Sequence, residues 1–150
     1  MLDMTAVSEI GAELLAKSDD GYNVLVGSTA AHPILFGSYA AHPHILNHEL
    51  NSTAAGRYQF IWATWQMAAK VCSLTDFSPV SQDIACVWLL KQCGAYEPLI
   101  AGDLDAAMAH ASKEWASLPG STAGQHVNSS LALQKVFSDA GGVALCMRPK

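Results

Sequence analysis

"SPVSQDIACVWLLKQCG", Ser78 to Gly94, is the stretch that decides the fold. Ser78 is a good N-cap residue, and Pro79 suits the first helical position, where a missing N–H costs nothing. Gly94 stands where a C-cap is needed. Between these signals Ile84, Ala85, Cys86, Val87, Trp88, Leu89 and Leu90 leave no polar face. On a helix that pattern implies burial on every side. The expectation is a central core helix with the rest of the chain packed around it.

Working outward, the turn-rich "SLTDFSP" separates this helix from Tyr58, Ile61, Trp62 and Trp65, an apolar stripe that predicts helix from Arg57 on. After Asp103, the residues Leu104, Ala107, Met108, Ala111 and Trp115 hold the 3–4 spacing of one buried helical face. "SLPGSTAGQ" then interrupts with turn residues, and a last helix is expected from about Val127 to Ala140, ended by Gly141 and Gly142. At the other end, Leu2, Ala6, Val7 and Ile10 suggest a first helix, closed by the polar "KSDDG". "GYNVLVG" reads as a short strand, and Ser28 to Thr53, rich in Gly, Pro, Ser and His, reads as loops with room for one more strand. The order of elements predicts one α+β domain over residues 1–150, mainly helical, with a small β and loop lobe inserted early.

Composition sets the outer limits. A chain of 150 residues that is 51% apolar and 14% charged has the makings of a folded core. A net charge of −5 without any run of Lys or Arg lacks the footprint of a nucleic-acid binder. No segment approaches the ~18 apolar residues of a membrane span, and "MLDMTAVSEI" has neither part of an export signal. Synthesis in the cytoplasm is therefore expected. Cys72, Cys86, Cys93 and Cys146 form no C-x-x-C pair, and free thiols are expected.

Few residues offer chemistry. "HPHILNHE" gathers His42, His44 and His48, but it lacks zinc-helix spacing and Pro43 opposes a helix, so a solvated loop is expected rather than a metal site. There is no G-x-S-x-G elbow, no Walker loop and no G-x-G-x-x-G, hence no visible cradle for a cofactor. Glu13, Glu49, Glu97 and Glu114 read as solvated charges. Glu9 differs, because it ends an apolar helical segment just before the irregular lobe. A cleft between the helical and β lobes would open there, and apolar neighbours would raise its pKa toward that of a general acid.

The segments "SE" (Ser8, Glu9), "DGYNVLVG" (Asp20 to Gly27), "HP" (His42, Pro43), "STAAGRYQ" (Ser52 to Gln59), "DFSPVSQD" (Asp76 to Asp83), and "WASLPG" with "GQ" (Trp115 to Gln125) occur in this order. Together the set resembles the lambda-type phage endolysins, a family of lytic transglycosylases, from Leu2 to about Gly142. The resemblance implies a lysozyme-like fold whose cleft binds the glycan strands of peptidoglycan, with Glu9 as the single catalytic acid and base. It implies cleavage of the bond from N-acetylmuramic acid to N-acetylglucosamine without water, leaving a 1,6-anhydromuramoyl end, and it needs no cofactor and no metal. A muramidase that hydrolyses the same bond, or a catalytically impaired wall-binding module, is the alternative.

Onto that family's glycan site map Ser52 and Thr53, as hydroxyl partners for sugar groups, and Tyr58 and Gln59, as a ring face and a bifunctional amide. Arg57 either serves the site or pairs with a carboxylate to hold the lobe. Two mobile lips are implied, about His44 to Asn51 and about Ser117 to Asn128, with Gln125 the substrate contact on the second. A monomer is expected, reaching the wall once a holin has permeabilised the inner membrane. The chain also departs from the family: Ile10 stands where a glycine follows the catalytic glutamate, with Gly11 one later. Ala123 replaces an aromatic before "GQ", and the lower lip is shorter and without basic residues.

Overall fold

The computed structural model describes residues 1–120 and 129–145. They form the helices α1 (Leu2–Ile10), α2 (Ala12–Ala16), α3 (Trp62–Cys72), α4 (Pro79–Gln92), α5 (Tyr96–Ile100), α6 (Leu104–Ala111) and α7 (Ser130–Asp139). The chain divides into two units, one of Met1–Glu9 with Leu89–Lys150 and the other of Ile10–Trp88.

In the first unit α1 buries Met4, Thr5, Ala6 and Ser8. α6 buries Leu104, Ala107, Met108 and Ala111, the face its spacing predicts, and Trp115 is buried just beyond it. The helix starts where Asp103 caps it, its carboxylate accepting the Ala106 N–H at 3.0 Å. α4 ends in a Schellman motif at Gly94: the Ala95 N–H reaches the Leu90 carbonyl at 2.9 Å and the Gly94 N–H that of Lys91 at 3.2 Å. α7 begins at Ser130 because Ser129 is its cap, accepting the Ala132 N–H at 3.2 Å. It closes as expected at Gly141 and Gly142, the latter donating to the Phe137 carbonyl at 2.9 Å. Val127 and Asn128, the start expected for this helix, lie outside the described residues.

α4 departs from its expected burial. Ser81, Gln82, Ala85, Cys86, Leu89 and Leu90 are buried, whereas Val80 is 67% and Ile84 44% exposed. The helix is apolar around its axis in sequence, yet it buries one stripe of 3–4 spacing. Two polar residues sit in that stripe because each has partners there: Gln82 satisfies backbone groups, and the Ser81 hydroxyl donates to the Asp76 carboxylate at 2.7 Å.

The second unit holds the irregular segment. The first helix is longer in the sequence pattern than in space, being interrupted at Gly11 before α2. "GYNVLVG" does not form a strand: Val24 pairs with Leu35 and Leu25 with Ala55 as isolated antiparallel bridges. Helix from Arg57 is also corrected, since α3 begins only at Trp62. Residues 55–60 instead form a tight turn in which Ala55 and Phe60 exchange both backbone hydrogen bonds, at 3.1 and 3.0 Å. Gly56 has φ +80° there, and a Cβ on it would stand 2.9 Å from Phe77 Cζ and 2.8 Å from Gln82 Cδ. Only glycine satisfies both demands.

This turn carries Tyr58 and Phe60 into an aromatic core with Trp65 and Phe77, the last two meeting edge to face at 4.5 Å. His42 joins it, which corrects the expectation of a solvated histidine loop. Its ring is buried; Nδ1 accepts the His44 N–H at 3.1 Å, so Nε2 carries the proton and donates to the Phe60 carbonyl at 2.8 Å. Burial holds its pKa below the ordinary histidine value. His44 is exposed but stacks on Trp62 at 4.5 Å, and His48 is exposed.

Gln82 ties the unit together. Its carboxamide accepts the Arg57 N–H at 3.0 Å and donates to the carbonyls of Tyr22 at 3.0 Å and Phe77 at 2.9 Å, with no exposed surface. Cys86 is buried, Cys72 and Cys93 are half-buried, and all three are free thiols; Cys146 lies outside the described residues. No helix among the described residues is long and apolar enough to cross a membrane.

Candidate active site

Glu9 lies one residue before the end of α1, with Ser8 buried beside it. Ser117 comes from the turn after Trp115. Its hydroxyl donates to Glu9 Oε1 at 2.5 Å and itself accepts from the Ser8 hydroxyl at 2.8 Å. Burial pushes the Glu9 carboxyl above its ordinary value, and hydrogen bonds from the Ser117 side chain and backbone oppose that rise without cancelling it. The result is a carboxyl group that holds a proton more readily than a surface glutamate yet has a prepared donor for its anion. That pair of properties is what a group acting first as acid and then as base requires.

The other residues that sequence reading selected lie in the second unit. Ser52 is half-buried, pairs with Asn47 through its backbone, and accepts the Ala54 N–H on its hydroxyl at 3.2 Å. Thr53 Oγ1 accepts the Trp62 N–H at 3.0 Å, satisfying a donor at the start of α3. Gln59 is half-buried at the turn, its amide donating to the Gly56 carbonyl at 2.9 Å. Each keeps hydrogen-bonding capacity beyond these contacts.

Tyr58 corrects its assignment. It is 1% exposed, with its hydroxyl donating to Asp83 Oδ1 at 2.6 Å, so its ring belongs to the core and offers no face to a ligand. Arg57 takes the structural branch of its two readings. Its buried guanidinium pairs with the Asp20 carboxylate at 2.6 Å, bonds the Asp20 carbonyl, and lies 5.1 Å over the Tyr22 ring. Gln125 lies outside the described residues, as do Gly124 and Ala123. Among the described residues no three of His, Cys, Asp and Glu gather as metal ligands would, and the His42 ring nitrogens are both engaged by backbone.

The model of the endolysin family matches residues 1–144. The chain belongs to this family. It is 41% identical over 97 residues to the endolysin of Escherichia phage lambda, and 41% identical over 92 residues to that of Escherichia phage P2. These stretches cover 65% and 61% of the chain, but only 61% and 56% of the two curated endolysins. In three dimensions the likeness reaches further. Bacteriophage lambda lysozyme complexed with a chitohexasaccharide aligns with a TM-score of 0.83 at 38% identity, over 95% of this chain and 92% of that one. A second structure of lambda lysozyme gives 0.80 at 37% identity, with the same coverage. The fold of this endolysin is therefore the α+β lysozyme-like one.

Sequence reading placed Ser8 and Ser117 only inside motif segments and gave neither a role. No pattern marks a serine 109 residues from Ser8 as its partner. Asp83 was missed as well: it receives the hydroxyls of Tyr58 and Tyr22, at 2.6 and 2.9 Å, and so anchors α4 to the irregular segment of its unit.

Proposed function

We propose that this endolysin is a single catalytic domain that degrades bacterial peptidoglycan by lytic transglycosylation, with Glu9 as its only catalytic acid and base. The supporting observation is the Glu9 carboxyl itself, raised by burial and gripped on one oxygen by Ser117. Protonated Glu9 donates to the oxygen linking N-acetylmuramic acid to N-acetylglucosamine as the C1–O bond breaks through an oxocarbenium-like state. The carboxylate so formed takes the proton from the C6 hydroxyl as that oxygen closes on C1, which returns Glu9 to its starting state. No water is consumed and no second carboxylate is required.

Lambda lysozyme is complexed with a chitohexasaccharide, which supports a glycan strand as the substrate class. Ser52, Thr53 and Gln59 are the polar groups of the second unit offered to it, joined by Gln125. Access to the wall after a holin opens the inner membrane, and action as a monomer, complete the reading. The relatives called lysozymes favour one rival, a muramidase using the same Glu9 with water as acceptor.

Mass spectrometry of fragments released from purified peptidoglycan separates the two. Anhydromuramoyl ends, lighter by one water, are expected; reducing ends establish the muramidase. Glu9→Gln is expected to fold and to lose nearly all lytic activity, and retained lysis removes Glu9 from the mechanism.

A further inference from the structure

In the proposed mechanism Ser117 is only a contact of Glu9 and Ser8 has no part, yet the two serines form a buried relay that ends on its one catalytic group. Ser8 and Ser117 are 7% and 9% exposed. A serine hydroxyl has one proton. The Ser117 oxygen accepts the Ser8 proton at 2.8 Å, so its own proton is directed to Glu9 Oε1, at 2.5 Å. The direction of the relay is thereby fixed toward the carboxyl group. The Ser117 hydroxyl thus holds one carboxylate oxygen of Glu9 from within the same unit.

We propose that Ser117 is a positioning residue for Glu9, and that Ser8 orients the Ser117 hydroxyl, so that Oε1 stays occupied and Oε2 alone exchanges protons with the glycan. The proposal rests on the reading of Glu9 as acid and base. With Oε1 accepting from Ser117, the proton of the neutral acid resides on Oε2 and passes to the glycosidic oxygen, which leaves with the electron pair of the broken C1–O bond. The anion is then stabilised at Oε1 by a charge-assisted bond, while Oε2 faces the C6 hydroxyl and removes its proton as the C6–O–C1 bridge forms. Ser117 opposes the effect of burial, so it keeps the conjugate base available for the second half of the cycle.

The test is the pH dependence of glycan cleavage by Ser117→Ala, Ser8→Ala and Glu9→Gln, with thermal melts as the folding control. Free enzyme must carry protonated Glu9, so kcat/KM falls as pH rises through the Glu9 pKa. Without the Ser117 hydroxyl the anion loses a donor and the pKa rises. For Ser117→Ala this limb is expected to move up by about one pH unit, with kcat about tenfold lower and KM within about twofold. Ser8→Ala shifts the limb the same way by less.

A Ser117→Ala profile that overlays the wild type, with unchanged kcat, overturns the proposal. Should Ser117→Ala fail to fold, an unshifted Ser8→Ala overturns it equally. Glu9→Gln separates the layers: if it remains active, the reading of Glu9 has failed. If it is dead while the serine variants match the wild type, the positioning role alone has failed.

Discussion

Replacing Gln82 by Met keeps the length and approximate volume of the side chain while deleting its polar end, so it isolates what the carboxamide does. Three hydrogen bonds disappear: one from the Arg57 N–H and one each to the carbonyls of Tyr22 and Phe77. At a net ~1 kcal/mol per bond the loss is about 3 kcal/mol. The site is fully buried, so water does not replace the missing partner, and each stranded backbone group adds part of a desolvation penalty of ~1–3 kcal/mol. Allowing for local relaxation, the expected destabilisation is about 3–5 kcal/mol, a large part of the ~5–15 kcal/mol available to a typical domain. The melting temperature should fall by about 10 °C or more. Urea unfolding followed by tryptophan fluorescence measures this, Trp65 being packed on Phe77 in the same unit. Val80→Ala, on the exposed side of the same helix, serves as the control and should change stability by less than ~0.5 kcal/mol. A Gln82→Met loss below ~1 kcal/mol would show that the backbone groups find other partners and would refute the reasoning.

Two further expectations concern pH. Because burial raises the Glu9 carboxyl, its contribution to stability is fully present below the unfolded carboxylate value and is lost as pH rises through the folded one. Glu9→Gln should therefore have a higher urea midpoint than the wild type at neutral pH, with the difference shrinking below about pH 4.5; a lower midpoint at neutral pH would contradict it. His42 has the opposite sign. Its folded pKa is lowered, so its contribution is present above the ordinary histidine value near 6.5 and is lost as pH falls through the folded one. Wild-type stability should fall more steeply between about pH 6.5 and 5 than that of His42→Gln, and parallel curves would exclude His42 as the titrating group.

How much of this was legible in the sequence follows the physics of each signal. Helix ends set by local chemistry read correctly: Pro79 opening α4, Gly94 closing it, and Gly141 closing α7 depend on residues adjacent in the chain. The apolar stripe of α6 read correctly because its period survives whatever it packs against. Tyr58 and Phe60 did not, since apolar residues before Trp62 suit a helix face and a buried turn equally. The turn is chosen by Gly56, whose missing side chain admits Phe77 and Gln82 from more than twenty residues away. His42 failed for the same reason, as burial of a histidine depends on a distant carbonyl, that of Phe60. In the candidate site, Glu9 was singled out by its place at the end of an apolar helix and by resemblance, and its proposed role rests on the burial and the Ser117 contact that the fold gives it. Ser117 was not, because nothing local distinguishes a serine that holds a carboxyl group from one at the surface of a turn.

The residue after Glu9 shows how a departure from the family pattern is absorbed. Ile10 stands where the resemblance calls for glycine, and a bulky residue at that position would be expected to disturb the turn that follows Glu9. In this chain the positive φ falls on Gly11, at +80°, the N-cap of α2. Room for the Ile10 side chain comes from across its unit. A Cβ at Gly21 would lie 2.5 Å from Ile10 Cδ1 and 2.7 Å from Leu15 Cδ2, so the two apolar side chains occupy the space that glycine leaves open. Gly21 itself sits beside Asp20, whose carboxylate holds Arg57, and Arg57 is fixed by Gln82 through its N–H. Ile10 is thus accommodated by packing in the second unit, where the Gln82 network holds the receiving loop in place. The Glu9–Ser117 contact, made entirely within the first unit, carries no part of that adjustment.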